Sequence, residues 1–264
     1  MERRKKEPLL STKLFHNRAA DLGLVTQNVQ WLIMIGTFFI ISVYLQVSRE
    51  ISAIETGIVL TPATAGLLIA SSRAGTLARK HPQRSIIISG FVVTITGIIL
   101  NLLLVRVDRS LLYFVPGLFL IGAGVGLMLT ASVNVVQSSV PERDQGEISG
   151  LSRSVSNLGS SLGTAVAGAV LISSLISGIS TLTDDNTVLN TSQKEQIKAA
   201  ASKDITALSD TQVESALKGQ PLDVVEAVVQ INAEARNRAL ARAQVSIALI
   251  GFIGLLAAVM LPRR

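Results

Sequence analysis

The chain has 264 residues, 48% of them hydrophobic and only 16% charged, where soluble domains carry about 25% charged residues. It has no cysteine, which excludes disulfides and thiolate metal sites, and its two histidines, His16 and His81, sit in polar flanks and cannot make a metal site alone. The net charge of +6 clusters beside hydrophobic blocks, where basic residues set topology and meet anionic lipid, so no nucleic-acid partner is expected.

Residues 2–8 read ERRKKEP, four of them basic. A signal peptide would continue at once into an apolar core. Here Leu9 and Leu10 give way to Ser11, Thr12, Lys13, His16, Asn17 and Arg18. Residues 1–23 therefore read as a basic cytoplasmic linker. The first transmembrane helix is expected over 24–46, with Gln27, Asn28, Gln30 and Trp31 near its start and Tyr44 and Gln46 near its end. Trp and Tyr at span ends are ordinary interface anchors, but the amides exceed what anchoring needs. The second helix is expected over 55–72 and bends at Pro62. The stretch SRAGTLARKHPQR follows, with Arg73, Gly75, Arg79, Lys80 and Arg84, and reads as a tight, basic loop. The third helix, 85–105, is nearly all hydrocarbon apart from Asn101.

Residues 111–178 form the stretch around which the chain is organised. Two apolar pieces, each over 20 residues, flank a short polar link holding Pro141, Glu142, Arg143, Asp144 and Gly146. At 1.5 Å per residue each piece can cross about 30 Å of hydrocarbon, so the pair is a transmembrane hairpin. In its second helix, Ser152, Ser156, Gly159, Gly163 and Ala167 fall on one side at helical spacing. Gly159-x-x-x-Gly163 lets a neighbouring backbone come close. Beside that stripe runs a polar one, Arg153, Asn157, Ser160 and Thr164, the pattern of a helix lining an aqueous path. In the first helix of the pair, Gly122, Gly124 and Gly126 lie mid-span and read as a packing run, not a nucleotide loop.

Residues 180–242 are polar with short helical patterns, Ile197, Ala201, Ile205 and Leu208, then Val213, Leu217, Val224, Val225, Val228 and Ile231, the second broken by Gly219 and Pro221. A small helical hairpin outside the bilayer is expected. The sixth span, 243–261, is aliphatic after Gln244 and ends in Pro262, Arg263 and Arg264. The fold class is thus an all-α membrane protein with six transmembrane helices. The parts are a linker (1–23), helices one to five (24–179), the extracytoplasmic insertion (180–242) and the sixth helix with its tail (243–264). Basic residues crowd the short flanks on one side, which places both termini in the cytoplasm and the insertion outside.

Polarity is uneven among the spans. The third and sixth helices, Gly97 among their residues, suit faces exposed to lipid. The first, fourth and fifth carry Gln27, Gln30, Asn134, Gln137, Arg153 and Asn157, and these form a polar vestibule in the expected arrangement. A charge within a span is a functional hypothesis by default. Arg153 either serves transport or gating, or snorkels to the headgroups and pairs with Asp144 or Glu147. Asn134 and Asn157 are pathway groups or interhelical hydrogen bonds that hold the bundle together. No carboxylate lies deep in a span, so a proton carrier belongs to another chain or is Glu55 at the mouth of the second helix. No nucleophile–base arrangement and no Walker lysine is present; neither catalysis nor a cofactor is expected.

Six helices, the S-R-x-G-x-L-x-R-K-x-x-x-R stretch from Ser72 to Arg84, the Gly122–Gly126 run, Pro141-x-x-x-x-Gly146-x-x-Ser149-Gly150 and Gly159-x-x-x-Gly163 together resemble the C-terminal half of a major facilitator superfamily transporter. The resemblance is closer still to the last six helices of the fourteen-helix drug:proton antiporter family. It implies one six-helix bundle of two, with the first and fourth helices lining the cavity, the second and fifth flanking it, and the third and sixth facing lipid. Gln27, Gln30, Trp31, Asn134, Gln137, Arg153 and Asn157 are then the substrate-pathway candidates. Arg73, Gly75, Arg79, Lys80 and Arg84 match the family's cytoplasmic gating loop, with Arg79 where the full signature has an aspartate, so that gating there rests on basic residues alone. The implied function is half of a proton-coupled secondary transporter that exports amphipathic organic compounds from the cell across the plasma membrane. The implied partners are the bilayer, an N-terminal half or a second copy of the chain, an organic substrate and protons. The opening linker favours a split or truncated product. The alternative is a non-transporting membrane partner or assembly subunit that kept the fold.

Overall fold

A computed structural model of the chain describes residues 17–105, 110–203 and 209–262. The described residues form helices and links, and six helices are long and apolar enough to cross a membrane. These are α1 (Arg18–Ser48), α2 (Ala53–Ala78), α3 (Gln83–Leu104), α4 (Phe114–Gln137), α5 (Gln145–Asp185) and α8 (Leu222–Val259). The short helices α6 (Thr191–Lys203) and α7 (Asp210–Ala216) lie between α5 and α8. One-turn 3-10 helices, Leu111–Tyr113 and Glu142–Asp144, lead into α4 and α5.

Helix starts follow local chemistry. The Asn17 side chain caps α1 by accepting from the Ala19 N–H, and Ser52 and Glu55 close a capping box on α2. Pro82 and Pro221 immediately precede α3 and α8, where a fixed φ and a missing N–H cost nothing. α2 runs through Pro62 without interruption.

Close glycine contacts give the helix directions. Gly122 and Gly126 of α4 meet Ala63 and Leu67 of α2, so α2 and α4 run parallel. Gly159 and Gly163 of α5 meet Asn28 and Leu32 of α1, so α1 and α5 also run parallel. Gly90 meets Gly124 and Gly97 meets Gly117, so α3 and α4 are antiparallel. Gly254 and Gly251 of α8 meet Phe91 and Ile95 of α3 in descending order, another antiparallel pair. The spans therefore alternate in direction, and the start of α1 and the end of α8 share one end of the bundle. The packing also has an internal symmetry. α2 and α3 both pack on α4, just as α5 and α8 both pack on α1, with α1–α4 and α3–α8 contacts joining the two sets. Exchanging α1 with α4, α2 with α5 and α3 with α8 reproduces this pattern, as inverted three-helix repeats require, except that α5 packs on α8 far more than α2 on α3.

Apolar side chains from α1, α3, α4 and α8, among them Ile33, Ile40, Phe91, Ile98, Leu118, Met128 and Ile247, fill the centre. Here α3 departs from the expected lipid-facing helix. Its Val92, Ile99 and Leu103 do face outward, but Gly90, Thr94, Gly97 and Asn101 form a buried seam. A Cβ on Gly97 would stand 2.7 Å from the Gly117 carbonyl oxygen. Composition registers how apolar a helix is, not which side of it is covered.

The extramembrane part also differs from the expected separate hairpin over 180–242. At about 1.5 Å per residue, the 41 residues of α5 and 38 of α8 extend well beyond about 30 Å of hydrocarbon. α5 continues past residue 179 to Asp185, and the last helix begins at Leu222 instead of 243. The projecting arms pack on each other through Leu175, Ala235 and Ala239, and further out Val224, Ala227 and Ile231 of α8 cluster with Leu189 of the α5–α6 link and with Ile179 and Leu182 of α5. The pattern of Ile205 and Leu208 lies outside the described residues. So do most of the basic linker and the final arginines.

Candidate functional site

The amides near the start of α1 are turned into the bundle. Gln27 and Gln30 are each 1% exposed. Gln27 Oε1 accepts from the Ser152 hydroxyl of α5 at 2.6 Å, and Gln30 Oε1 accepts from the Ser132 hydroxyl of α4 at 3.3 Å. Asn28 Nδ2 donates to the Val155 carbonyl of α5 at 3.0 Å. These bonds join α1 to α4 and α5. The Nε2 groups of Gln27 and Gln30 are buried without protein partners. The expected vestibule wall containing Gln27 and Gln30 is thus an interior seam: helix packing buries both amides, each with its oxygen paired to a hydroxyl and its Nε2 left unpaired.

Gly159 and Gly163 make this approach possible. A Cβ on Gly159 would overlap the Asn28 carbonyl, and one on Gly163 would stand 3.0 Å from Leu32 Cα. The glycines of α4 serve two partners. Gly122 and Gly126 face α2, while Gly124 faces Thr94 and Gly90 of α3.

The remaining pathway candidates lie on more open surface. Trp31, Asn134 and Gln137 are partly buried, and Arg153 and Asn157 are exposed. Gln137 Nε2 donates to Ser149 Oγ at 3.4 Å, across the α4–α5 link. Asp144 pairs with Arg143 at 3.5 Å instead of Arg153. On α5 the exposed positions Arg153, Asn157, Ser161 and Thr164 recur at helical spacing, and α2 exposes Thr61 and Thr64. α2 and α5 are the least buried of the six spans. α2 packs chiefly on α4, and α5 on α1 and, through its outer part, on α8. Glu55 is exposed, and its carboxylate accepts from the Ser52 N–H and hydroxyl, both at 2.9 Å, which makes it a helix cap.

The basic loop is shorter than expected. Arg73 and Gly75 lie inside α2, Arg79–Pro82 form the turn, and Arg84 stands in the first turn of α3. The helix continues because Ala74, Ala78, Arg73 and Leu77 around Gly75 favour it, and open space surrounds Gly75 itself. Arg73, Arg79 and Lys80 are exposed, while Arg84 is partly buried.

Two amides of the apolar third and sixth spans are also buried. Asn101 of α3 and Gln244 of α8 are 1% and 3% exposed, and neither side chain has a protein hydrogen-bond partner. A lone amide in a hydrocarbon run was the available signal, since such a group at a lipid face would be costly.

An all-helical six-span bundle with inverted repeats, a glycine-clamped core and polar residues on the open sides of α2 and α5 is a membrane-transporter architecture. Residues 2–164 match the model of the Major Facilitator Superfamily, and the chain belongs to that family. It is a multi-pass membrane protein. Among curated proteins it is similar to the multidrug resistance protein Stp of Mycobacterium tuberculosis, 29% identical over 171 residues, covering 65% of this chain and 32% of that protein. The tetracenomycin C resistance and export protein of Streptomyces glaucescens is 26% identical over 176 residues, covering 65% and 32%. The multidrug transporter protein MdtP of Bacillus subtilis is 28% identical over 171 residues, covering 65% and 31%. The matched part of this chain thus spans about a third of the length of these relatives.

Proposed function

We propose that this chain is the C-terminal half of a secondary active transporter that exports amphipathic organic compounds by alternating access. The observation that carries the reading is the exposed polar stripe of α5, Arg153, Asn157, Ser161 and Thr164. Polar groups on the open face of a span need water or protein, not lipid, beside them. An aqueous cavity at an interface with a second bundle supplies both. The names of the relatives support the substrate class, since they include multidrug resistance and antibiotic export.

In this reading Trp31, Asn134, Arg153 and Asn157 line the pathway, while Gln27 and Gln30 hold α1 in place behind it. The second bundle is an N-terminal half or a second copy of the chain, and the two rock about a site at their interface. Proton coupling fits the family resemblance, with the proton carrier on the other bundle, because Glu55 is engaged as a cap. Arg73, Arg79, Lys80 and Arg84 contact the other half during gating. The bundle sits in the plasma membrane with both termini in the cytoplasm and the insertion outside. The test is efflux of a fluorescent lipophilic cation from proteoliposomes under an imposed pH gradient, with this chain alone and with a candidate N-terminal half. Gradient-dependent efflux from the pair supports the proposal. Stable pairing without efflux of any compound favours a non-transporting assembly subunit.

A further inference from the structure

A cavity of about 270 Å³ lies at the end of the bundle where α1 begins and α8 finishes. A water's share of liquid volume is about 30 Å³, so the cavity admits a group several times larger. Its polar lining comes from His81, Gln83 and Arg84, and its apolar wall from Ala78, Val135 and Leu261. Among the described residues no carboxylate lines it. Arg84 projects from the first turn of α3, and its Nε is buried without a hydrogen-bond partner. A buried guanidinium N–H left unpaired is costly unless a ligand meets it.

The same corner holds the N-terminus of α3. The N-cap residue is Pro82, which supplies no side-chain cap. The first N–H groups of a helix have no intrahelical acceptor, and the helix dipole adds positive potential there. Ser138 and Ser139, also at the cavity, already donate their hydroxyls to the Val135 carbonyl. The Ser85 and Ile86 N–H groups already donate to the Pro82 carbonyl, so the unmet donors are Arg84 Nε and the N–H groups of Gln83 and Arg84. Unpaired donors, one fixed positive charge and, among the described residues, no carboxylate describe a site for a phosphate oxyanion.

We propose that this cavity binds the phosphate of an anionic phospholipid headgroup, with Arg84 and the first N–H groups of α3 as its ligands. Its position at the ends of the spans is headgroup depth, and the apolar wall beside the donors suits the glycerol and upper acyl carbons. Bound lipid ties the α2–α3 turn to the ends of α4 and α8, which otherwise meet there across open space. The site does not depend on the transport reading, since it lies on this chain alone.

The test uses the purified full chain in neutral detergent, titrated with phosphatidylglycerol, with diacylglycerol of the same chains, and with inorganic phosphate, and follows the unfolding midpoint. Saturable stabilisation by phosphatidylglycerol and none by diacylglycerol is expected. Arg84→Gln should weaken the apparent affinity about tenfold or more, the loss of one charge-assisted bond. Ala78→Leu keeps every charge but fills the cavity, and should weaken it similarly. Arg79→Gln removes an exposed charge from the neighbouring turn and should change it by less than about twofold. Should Arg84→Gln fail to fold, Ala78→Leu decides. Inorganic phosphate as effective as the lipid would keep the phosphate chemistry and overturn the lipid as its source. The proposal fails altogether if phosphatidylglycerol gives no saturable response, if Arg79→Gln weakens binding as much as Arg84→Gln, or if Ala78→Leu binds like the wild type.

Discussion

Glu50 and Thr211, 161 positions apart, are joined by hydrogen bonds. The Glu50 carboxylate accepts from the Thr211 N–H at 3.2 Å and from its hydroxyl at 2.8 Å. Glu50 sits in the link between α1 and α2 with a positive φ of 50°, a conformation that favours glycine. The bond fastens the start of α7 to the membrane bundle.

This tether responds to acid. The Thr211 hydroxyl first, then Ser209, hold the Glu50 carboxyl below its ordinary value of 4.5, with a smaller contribution from the Arg236 charge. A carboxylate with a lowered folded-state pKa stabilises fully above its ordinary pKa, and that stabilisation disappears as pH falls through the folded value. Hydrogen exchange of the α7 amides, corrected for the intrinsic pH dependence, should therefore rise on acidification below the ordinary carboxylate range. In Glu50→Gln the protection should already be reduced at neutral pH and stay flat. Identical profiles for both proteins would exclude the tether.

Glycine substitutions divide by surroundings. Gly163→Leu drives a side chain against the Leu32 backbone, and Gly97→Leu drives one against Gly117 and Ile121. Each should destabilise by about 1–3 kcal/mol or more through overpacking. Gly75→Ala, inside α2 with nothing nearby, should be neutral or stabilise by up to about 1 kcal/mol through helix propensity. Unfolding midpoints of the three detergent-purified variants give the ranking, and a Gly97→Leu protein as stable as the parent would contradict the α3–α4 seam.

Arg153 separates pathway from anchor. Lysine keeps the charge and the apolar stem but loses the planar fork of the guanidinium. In the complete assembly, Arg153→Lys and Arg153→Ala should both lower efflux per inserted molecule by about tenfold, the scale of a lost charged hydrogen bond, with unchanged membrane levels. Wild-type efflux in the lysine variant would show that the residue only anchors the helix end, and the pathway role would pass to Asn134 and Asn157.

Topology is open to single-cysteine labelling, because the chain has no native cysteine. His81→Cys in the α2–α3 turn and Ser192→Cys in α6 are exposed positions. His81→Cys should react with a membrane-impermeant maleimide only after the membrane is permeabilised, and Ser192→Cys in intact cells. Reaction of both from the same side would break the six-span arrangement.

The number of spans and their all-helical class were legible in the sequence, because a bilayer forces long apolar runs into helices and their length is countable. Small residues at Gly159 and Gly163 could be read as a packing stripe because helical periodicity puts them on one face. The sequence could not say which partner each face meets. Gln27 and Gln30 look like pathway amides until Ser152 and Ser132 are seen opposite them. Gly97 and Asn101 look lipid-exposed until α4 is seen covering one side of α3. The arms of α5 and α8 look like a polar insertion because mutual burial of Leu175, Ala235 and Ala239 stabilises helix where composition alone is neutral. Composition and period fix what one helix is; burial depends on positions more than a hundred residues away, and only the tertiary structure brings those together.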